Sequence, residues 1–273
     1  MNENIPLSDG NQIPNIGLGV FKMPAGETVE LVKTAIRSGY RAIDTAAMYG
    51  NEEEVGEAVR ASEDHIFVTT KLWHSDHGYD AALAAFDRSY AKLGLEQIDL
   101  CLIHWPAPAR NLYVETWNAL IRLRDEGRVR SIGVSNFGVG QLERLVRETG
   151  VAPVVNQVEL HPCFQQRALR AFHMAEGIAT ICWGPLGQGR ELATPAIIEI
   201  ARKHGRTPAQ IVLRWHVELG LIPIPKSANP ARQAENIAIF DFALDADDHA
   251  AIAALDDPAG RFGPDPMLLG NQG

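Results

Sequence analysis

Six stretches of this 273-residue chain end on a glycine and are followed at once by a short apolar run: Gly39, Gly94, Gly127, Gly150, Gly177 and Gly220. Glycine accepts the left-handed conformation that closes a helix, so each such site reads as helix, stop, strand. The segments before the stops carry apolar residues on one face, Leu83, Phe86, Tyr90 and Leu93 in one case and Leu142, Leu145 and Val146 in another. Thr207, Pro208 and Gln210 spell a capping box with proline at the first helical position, and Asn51 precedes three glutamates as a cap would. Eight strand candidates follow from these boundaries, at 16–20, 42–44, 66–70, 100–103, 131–134, 154–158, 180–183 and 221–224, with one helix in each of the seven gaps. Continuous apolar strands alternating with amphipathic helices require a parallel sheet covered on both faces. Eight units in one chain of this size fit a single α/β domain, residues 1–273, folded as a (β/α)8 TIM barrel, with an open doubly wound sheet as the other solution. Ahead of the first unit, Asp9 and Gly10 sit between short apolar arms and predict an N-terminal β-hairpin that caps one end of the barrel.

Composition removes several function classes. The net charge is −9 and no window gathers Lys and Arg into a basic stripe, so no nucleic-acid partner is expected. The polar start lacks an apolar leader and no apolar run reaches the roughly 20 residues of a membrane span, so neither export nor membrane association is expected. Cys101, Cys163 and Cys182 are odd in number and lie in or beside apolar runs, which suits buried free thiols in the cytoplasm. His161 lies near Cys163, but no C-x-x-C spacing accompanies it and no metal site is expected. Gly17 and Gly19 begin a G-x-G-x-x-G pattern whose last position is Lys22, so a Rossmann fingerprint is rejected.

Barrels of this kind gather their chemistry where the strands end. The residues leaving the eight strands include Asp44, Lys71, His104, Ser135, Asn136, Gln157, Glu159, Trp183 and Lys226. Asp44, Lys71 and His104 come from adjacent strands, and Tyr49 on the following loop can reach over them. An ammonium beside a phenol stabilises the phenolate, and a carboxylate keeps a buried ammonium charged. The four groups together make a proton-donating set aimed at an oxygen that gains negative charge, as a carbonyl does under hydride attack. Taken singly each has a plainer reading: Asp44 and Lys71 as a structural ion pair, Tyr49 as a loop anchor, His104 as a satisfied core histidine. Their joint placement favours the chemical one.

The stretches AIDTAAMYGNE, TTKLW, LIHWP, SIGVSNF, NQVELHP, WGPLGQG and IPKSANPARQAEN, in this order, resemble the motifs of the aldo-keto reductase family. HPCFQQR and a late GPDP point to its bacterial 2,5-diketo-gluconate reductases. The resemblance implies a monomer that uses NADPH to reduce a small-molecule ketone or aldehyde. Tyr49 would donate the proton, Lys71 would lower its pKa, Asp44 would hold Lys71 and His104 would orient the carbonyl. Ser135, Asn136 and Gln157 would hold the nicotinamide carboxamide, and Trp183 would stack on its ring. Gly184, Leu186, Gly187 and Gln188 would meet the pyrophosphate. Lys226, Ser227, Asn229 and Arg232 would grip the 2′-phosphate, with Glu235 and Asn236 near the adenine. Phe21, Met48, Trp73 and Trp105 are the expected pocket walls, although plain rim packing also accounts for Phe21, Trp73 and Trp105. The short, helix-free C-terminal tail predicts an open pocket for small polar carbonyls. Two rivals stand beside this reading: an NADPH-binding regulatory module with little turnover, and an aldolase with Lys71 as Schiff-base nucleophile.

Overall fold

The computed structural model describes residues 4–24 and 26–269. Strands β1 (Asn4–Pro6) and β2 (Gln12–Pro14) pair antiparallel as the expected hairpin. The following strands, β3 (Leu18–Gly19), β4 (Ala42–Asp44), β5 (Phe67–Leu72), β6 (Ile98–Ile103), β7 (Val129–Ser135), β8 (Val155–Glu159), β9 (Ala179–Trp183) and β10 (Ile222–Pro223), lie parallel and side by side in chain order. The sheet closes on itself. Gly17 and Gly19 donate their N–H groups to the carbonyls of Pro223 and Pro225, both at 3.1 Å, and Gly19 bridges Lys226 in parallel. Prolines there give up no needed donor, because the seam uses only their carbonyls. Glycine eases this close approach at position 19, where a Cβ would stand 3.0 Å from the carbonyl oxygen of Ile224.

Among the described residues ten α-helices surround the sheet: α1 (Thr28–Arg37), α2 (Glu52–Arg60), α3 (Tyr79–Leu93), α4 (Tyr113–Asp125), α5 (Val139–Thr149), α6 (Arg167–Ala175), α7 (Pro195–His204), α8 (Pro208–Glu218), α9 (Pro230–Ile237) and α10 (Ala246–Ala253). All six stop glycines have positive φ. Where one helix was expected between the last two strands there are two, because Gly205 at φ 61° ends α7 and the Thr207–Gln210 capping box starts α8 afresh. The first and last strands are also shorter than the apolar runs that announced them, at two residues each. Val146 is partly exposed rather than core. Asn51 stands at the start of α2 but does not cap it: its amide donates to the Val20 carbonyl and its oxygen accepts from Thr45 Oγ1, tying the β3 and β4 ends together.

The two-residue period of the strands sorts their side chains. Ala42, Phe67, Leu100, Leu102, Val155, Ile181 and Ile222 pack together with Leu7 and Ile13 of the hairpin, whereas Ile43, Val68, Leu72, Cys101 and Ile103 pack against the helices. Asp9 of the hairpin turn accepts from Ser131 Oγ near the start of β7, so the hairpin plugs the end of the barrel where the strands begin. Inward positions continued to the opposite end are Asp44, Lys71, His104, Ser135, Gln157, Glu159 and Trp183.

Candidate active site

Lys71 lies inside β5 rather than past its end, and its side chain is fully buried. Its ammonium donates to Asp44 Oδ1 at 2.5 Å, to the Thr45 carbonyl at 2.9 Å and to Tyr49 Oη at 3.4 Å. Three acceptors account for all three N–H bonds. The second Asp44 oxygen accepts from Gln157 Nε2 at 2.7 Å, so Gln157 reaches across the barrel to the carboxylate. Tyr49 ends the one-turn helix Ala47–Tyr49, whose exit is made by Gly50 in the left-handed conformation. The His104 ring stands edge-on to Tyr49, centroids 5.7 Å apart, and edge-on to Trp73 at 5.0 Å. The four side chains meet as the sequence spacing predicted.

Burial acts against the Lys71 ammonium, but the Asp44 and Tyr49 partners outweigh it and the pKa is raised. His104 is buried and faces the cation of Lys71, which together hold its pKa well below the usual histidine range. It is neutral at pH 7. For Tyr49 the pull of Lys71 has the expected direction, but it does not set the net shift. Burial is the largest influence and raises it; Lys71 pulls it down and Asp44 pushes it up, and the net shift is upward. The resting phenol therefore keeps its proton.

Around this centre, Ser135 Oγ donates to the Gln157 carbonyl at 2.8 Å and accepts from Asn136 Nδ2 at 3.0 Å. Asn136, at φ 65°, also donates to the His104 carbonyl and accepts from Trp183 Nε1 at 2.8 Å. One amide thus ties the Trp183 indole to the backbone just past β6. Gly184 and Gly187 have positive φ, and a Cβ at either would meet the Phe262 ring at 2.6 Å or the Glu191 carboxyl at 2.7 Å. The protein's own side chains demand glycine there. Leu186 packs partly into the core and Gln188, at φ 56°, is exposed.

Past β10, Lys226 and Arg232 are exposed, and neither side chain has an ion pair among the described residues. Two unpaired cations beside the N-terminus of α9 suit a phosphate group. Ser227 is buried and its Oγ accepts from the Asn229 N–H. Asn229 caps α9 through its side-chain oxygen, bonded to the Arg232 N–H at 3.1 Å. Glu235 accepts from Thr207 Oγ1, and Asn236 is buried. Phe21 tilts on Tyr49 at 4.8 Å, and Trp105 lies between His104 and Trp183 at 6.4 and 6.5 Å. Met48 and Trp73 also line a cavity of about 230 Å³ against α3 to which none of Asp44, Tyr49, Lys71 and His104 contributes.

The sequence reading missed one group of contacts. Phe262 stands edge-on to Trp183 at 5.7 Å, and Gly263 lies against the same indole. Glu159 holds this tail by accepting both their N–H groups, at 2.6 and 2.9 Å. Among its described residues the tail is free of helix as expected, yet it packs on the site. The signal available was parity: Glu159 is an acidic residue at an inward position of β8.

The profile of the Aldo/keto reductase family matches residues 15–257. An aldo-keto reductase of Mycolicibacterium smegmatis is 54% identical over 272 residues, covering 98% of each chain. Methylglyoxal reductase DkgA of Escherichia coli K12 is 48% identical over 271 residues, covering 97% of this chain and 98% of its own. Among solved structures, a variant of Gox0644 in complex with NADPH superposes with a TM-score of 0.95 at 54% identity, over 97% of this chain and 98% of that one. With the barrel and the site agreeing, the chain belongs to the aldo/keto reductase family.

Proposed function

We propose that the protein uses NADPH to reduce the ketone or aldehyde of a small substrate, a keto sugar acid such as 2,5-diketo-gluconate or another small dicarbonyl such as methylglyoxal, with Tyr49 as proton donor. As a family member the chain is an oxidoreductase acting between carbonyl and CH–OH groups, with NADP(H) as its cofactor. The observation that carries the proposal is the Tyr49 hydroxyl, 3.4 Å from an ammonium that is itself tied to Asp44.

When bound, NADPH would supply the hydride, and the Ser135–Asn136 pair, the Trp183 face and the Lys226 and Arg232 cations are the groups that would hold it. The carbonyl oxygen accepts hydrogen bonds from Tyr49 and from neutral His104, which donates without giving up its proton. As charge grows on that oxygen Tyr49 releases its proton, and the phenolate left behind faces Lys71. The raised Tyr49 pKa keeps the acid form populated, and Lys71 acts on the product of the step. Asp44, bridged by Lys71 and Gln157, is a positioning residue. A Schiff base at Lys71 needs a free amine, whereas this ammonium has three acceptors and a raised pKa, which favours reduction over aldol chemistry.

Tyr49→Phe is expected to lower turnover by about 10² to 10⁴-fold while still binding NADPH. Undiminished NADPH oxidation by that variant across a panel of dicarbonyls, keto sugar acids and keto esters would end the proposal. Inertness of the unaltered protein towards the whole panel would leave the regulatory reading. The same reading makes the protein a cytoplasmic monomer without nucleic-acid or membrane partners, and sedimentation checks its mass. No helix among the described residues is long and apolar enough to cross a membrane.

A further inference from the structure

Glu159, His161 and Glu191 lie in line beside the site, and all three are buried. His161 Nε2 is 3.2 Å from Glu159 Oε1, and its Nδ1 lies against Glu191 Oε1. Each carboxylate also holds a separate piece of chain. Glu159 accepts the N–H groups of Phe262 and Gly263. Glu191 packs under Gly187 and accepts from the Cys163 N–H at 3.3 Å. The tail, residues 256–263, is laid closely along the 163–165 backbone: Asp257 donates to the Cys163 carbonyl at 3.1 Å, and a Cβ on Gly260 would stand 2.0 Å from that oxygen. Phe262 then stacks on His161 at 5.0 Å and covers Gly184.

We propose that Glu159, His161 and Glu191 form a buried clip that joins the C-terminal strap to the Gly184–Gln188 loop, with the His161 proton holding the two carboxylates together. Glu159 and His161 are thereby positioning residues for Trp183: with the clip closed, Gly263 and Phe262 press on the indole whose Nε1 Asn136 fixes. That this loop and indole flank the cofactor rests on the function proposed above; the clip itself does not.

Two carboxylates on either side of one imidazole are tolerable in a dry site when that imidazole is charged, and repel when it is not. Burial opposes the charge on His161, but the hydrogen bonds and charges of Glu159 and Glu191 outweigh it, and its pKa is raised. A raised folded value means that the closed clip is fully present below the unfolded histidine value of about 6.5 and is lost as pH rises through the raised one. The other groups facing it do not reproduce this behaviour. His216 on α8 is pushed down to about 4 and the Cys163 thiol up to about 11. Arg190 lies 5.7 Å over the Phe262 ring, and Asp256 and Asp257 flank Cys163 without ion-pairing to His161.

The strap carries its own reporter, because trypsin can cut after Arg261 only when the segment lifts. The full-length protein without cofactor is digested briefly between about pH 6 and pH 9, bracketing the histidine range, and loss of residues 262–273 is followed by intact mass. The protease's own pH dependence is divided out with a peptide substrate. Cleavage at Arg261 is expected to rise about tenfold towards the alkaline end. His161→Gln and Gly263→Ala should be cut fast at every pH, the latter because its methyl would stand 2.3 Å from the Trp183 ring. Glu159→Asp, which keeps the charge, should regain protection at the acid end that Glu159→Gln lacks. With NADPH present, Glu159→Gln should raise KM for the cofactor by a larger factor than it lowers kcat. A flat profile in the unaltered protein, or an unchanged profile in His161→Gln, overturns the clip. Because cleavage is read without cofactor or substrate, a protein inert towards every carbonyl would still test it.

Discussion

The tetrad residues are held by opposing effects of burial and charge, and the balance sets how the protein answers pH. His104 is neutral through the whole working range, so reduction is expected to show no titration step near the ordinary histidine value of about 6.5. Tyr49 has to carry its proton to donate it, and its pKa is raised, so the rate should stay level through neutrality and fall as pH rises through the Tyr49 value. Initial rates across pH at saturating NADPH check both limbs; a step near 6.5 that vanishes in His104→Gln would contradict the neutral assignment. Asp44 raises both the Lys71 and the Tyr49 pKa. Asp44→Asn should therefore move the alkaline limb to lower pH and lower the rate, and an unmoved limb would show that the carboxylate is not coupled to the acid. Much of this centre is legible in the sequence, because Asp44, Lys71 and His104 stand where alternation along neighbouring strands makes them converge. The net direction of the Tyr49 shift was not legible. It depends on how deeply the ring is enclosed against how near the ammonium comes, and a string of letters carries neither distance.

At the scale of helices and strands, the stop glycines marked boundaries well because the left-handed exit is a local, side-chain-independent demand. Asn51 failed as a cap for the opposite reason: its amide found tertiary partners in Val20 and Thr45 that sequence neighbours do not reveal. Close packing between elements is similarly hidden. Gly56 in the middle of α2 looks like a defect by helix propensity. Yet a Cβ there would stand 2.0 Å from the Leu93 carbonyl oxygen, the same oxygen that accepts from Arg60. The glycine is what lets α2 touch the end of α3. Gly56→Ala, which raises helix propensity, should nevertheless destabilise the protein by about 1–3 kcal/mol through overpacking. Urea midpoints measure this directly, and a neutral or stabilising result would mean that the two helices separate without cost.

For the molecule as a whole, the seam decides whether the chain behaves as one unit. The first barrel strand and the segment after the last are joined by the Gly17 and Gly19 N–H groups and the bridge to Lys226. Nearby, the Tyr40 hydroxyl donates to the Gln233 carbonyl, linking residues 193 apart. At the other end the hairpin is tied to β7 through Asp9 and Ser131. Parallel neighbours all round leave no strand pair whose loss would spare the rest, so unfolding in urea should occur in one transition across residues 1–273, followed together by tryptophan fluorescence and circular dichroism. NADPH at about 100 times its Kd should move that entire transition by about 2.7 kcal/mol, because the groups proposed to hold it come from β7, β9 and the start of α9. Gly19→Val pushes a branched side chain towards the Ile224 carbonyl, 3.0 Å from where its Cβ would sit. If the barrel is one cooperative body, this variant lowers the single midpoint for every probe alike. Two separated transitions, or a fluorescence midpoint that falls while the helical signal holds, would show that the closing strands fold apart from the remainder and that the chain is two units.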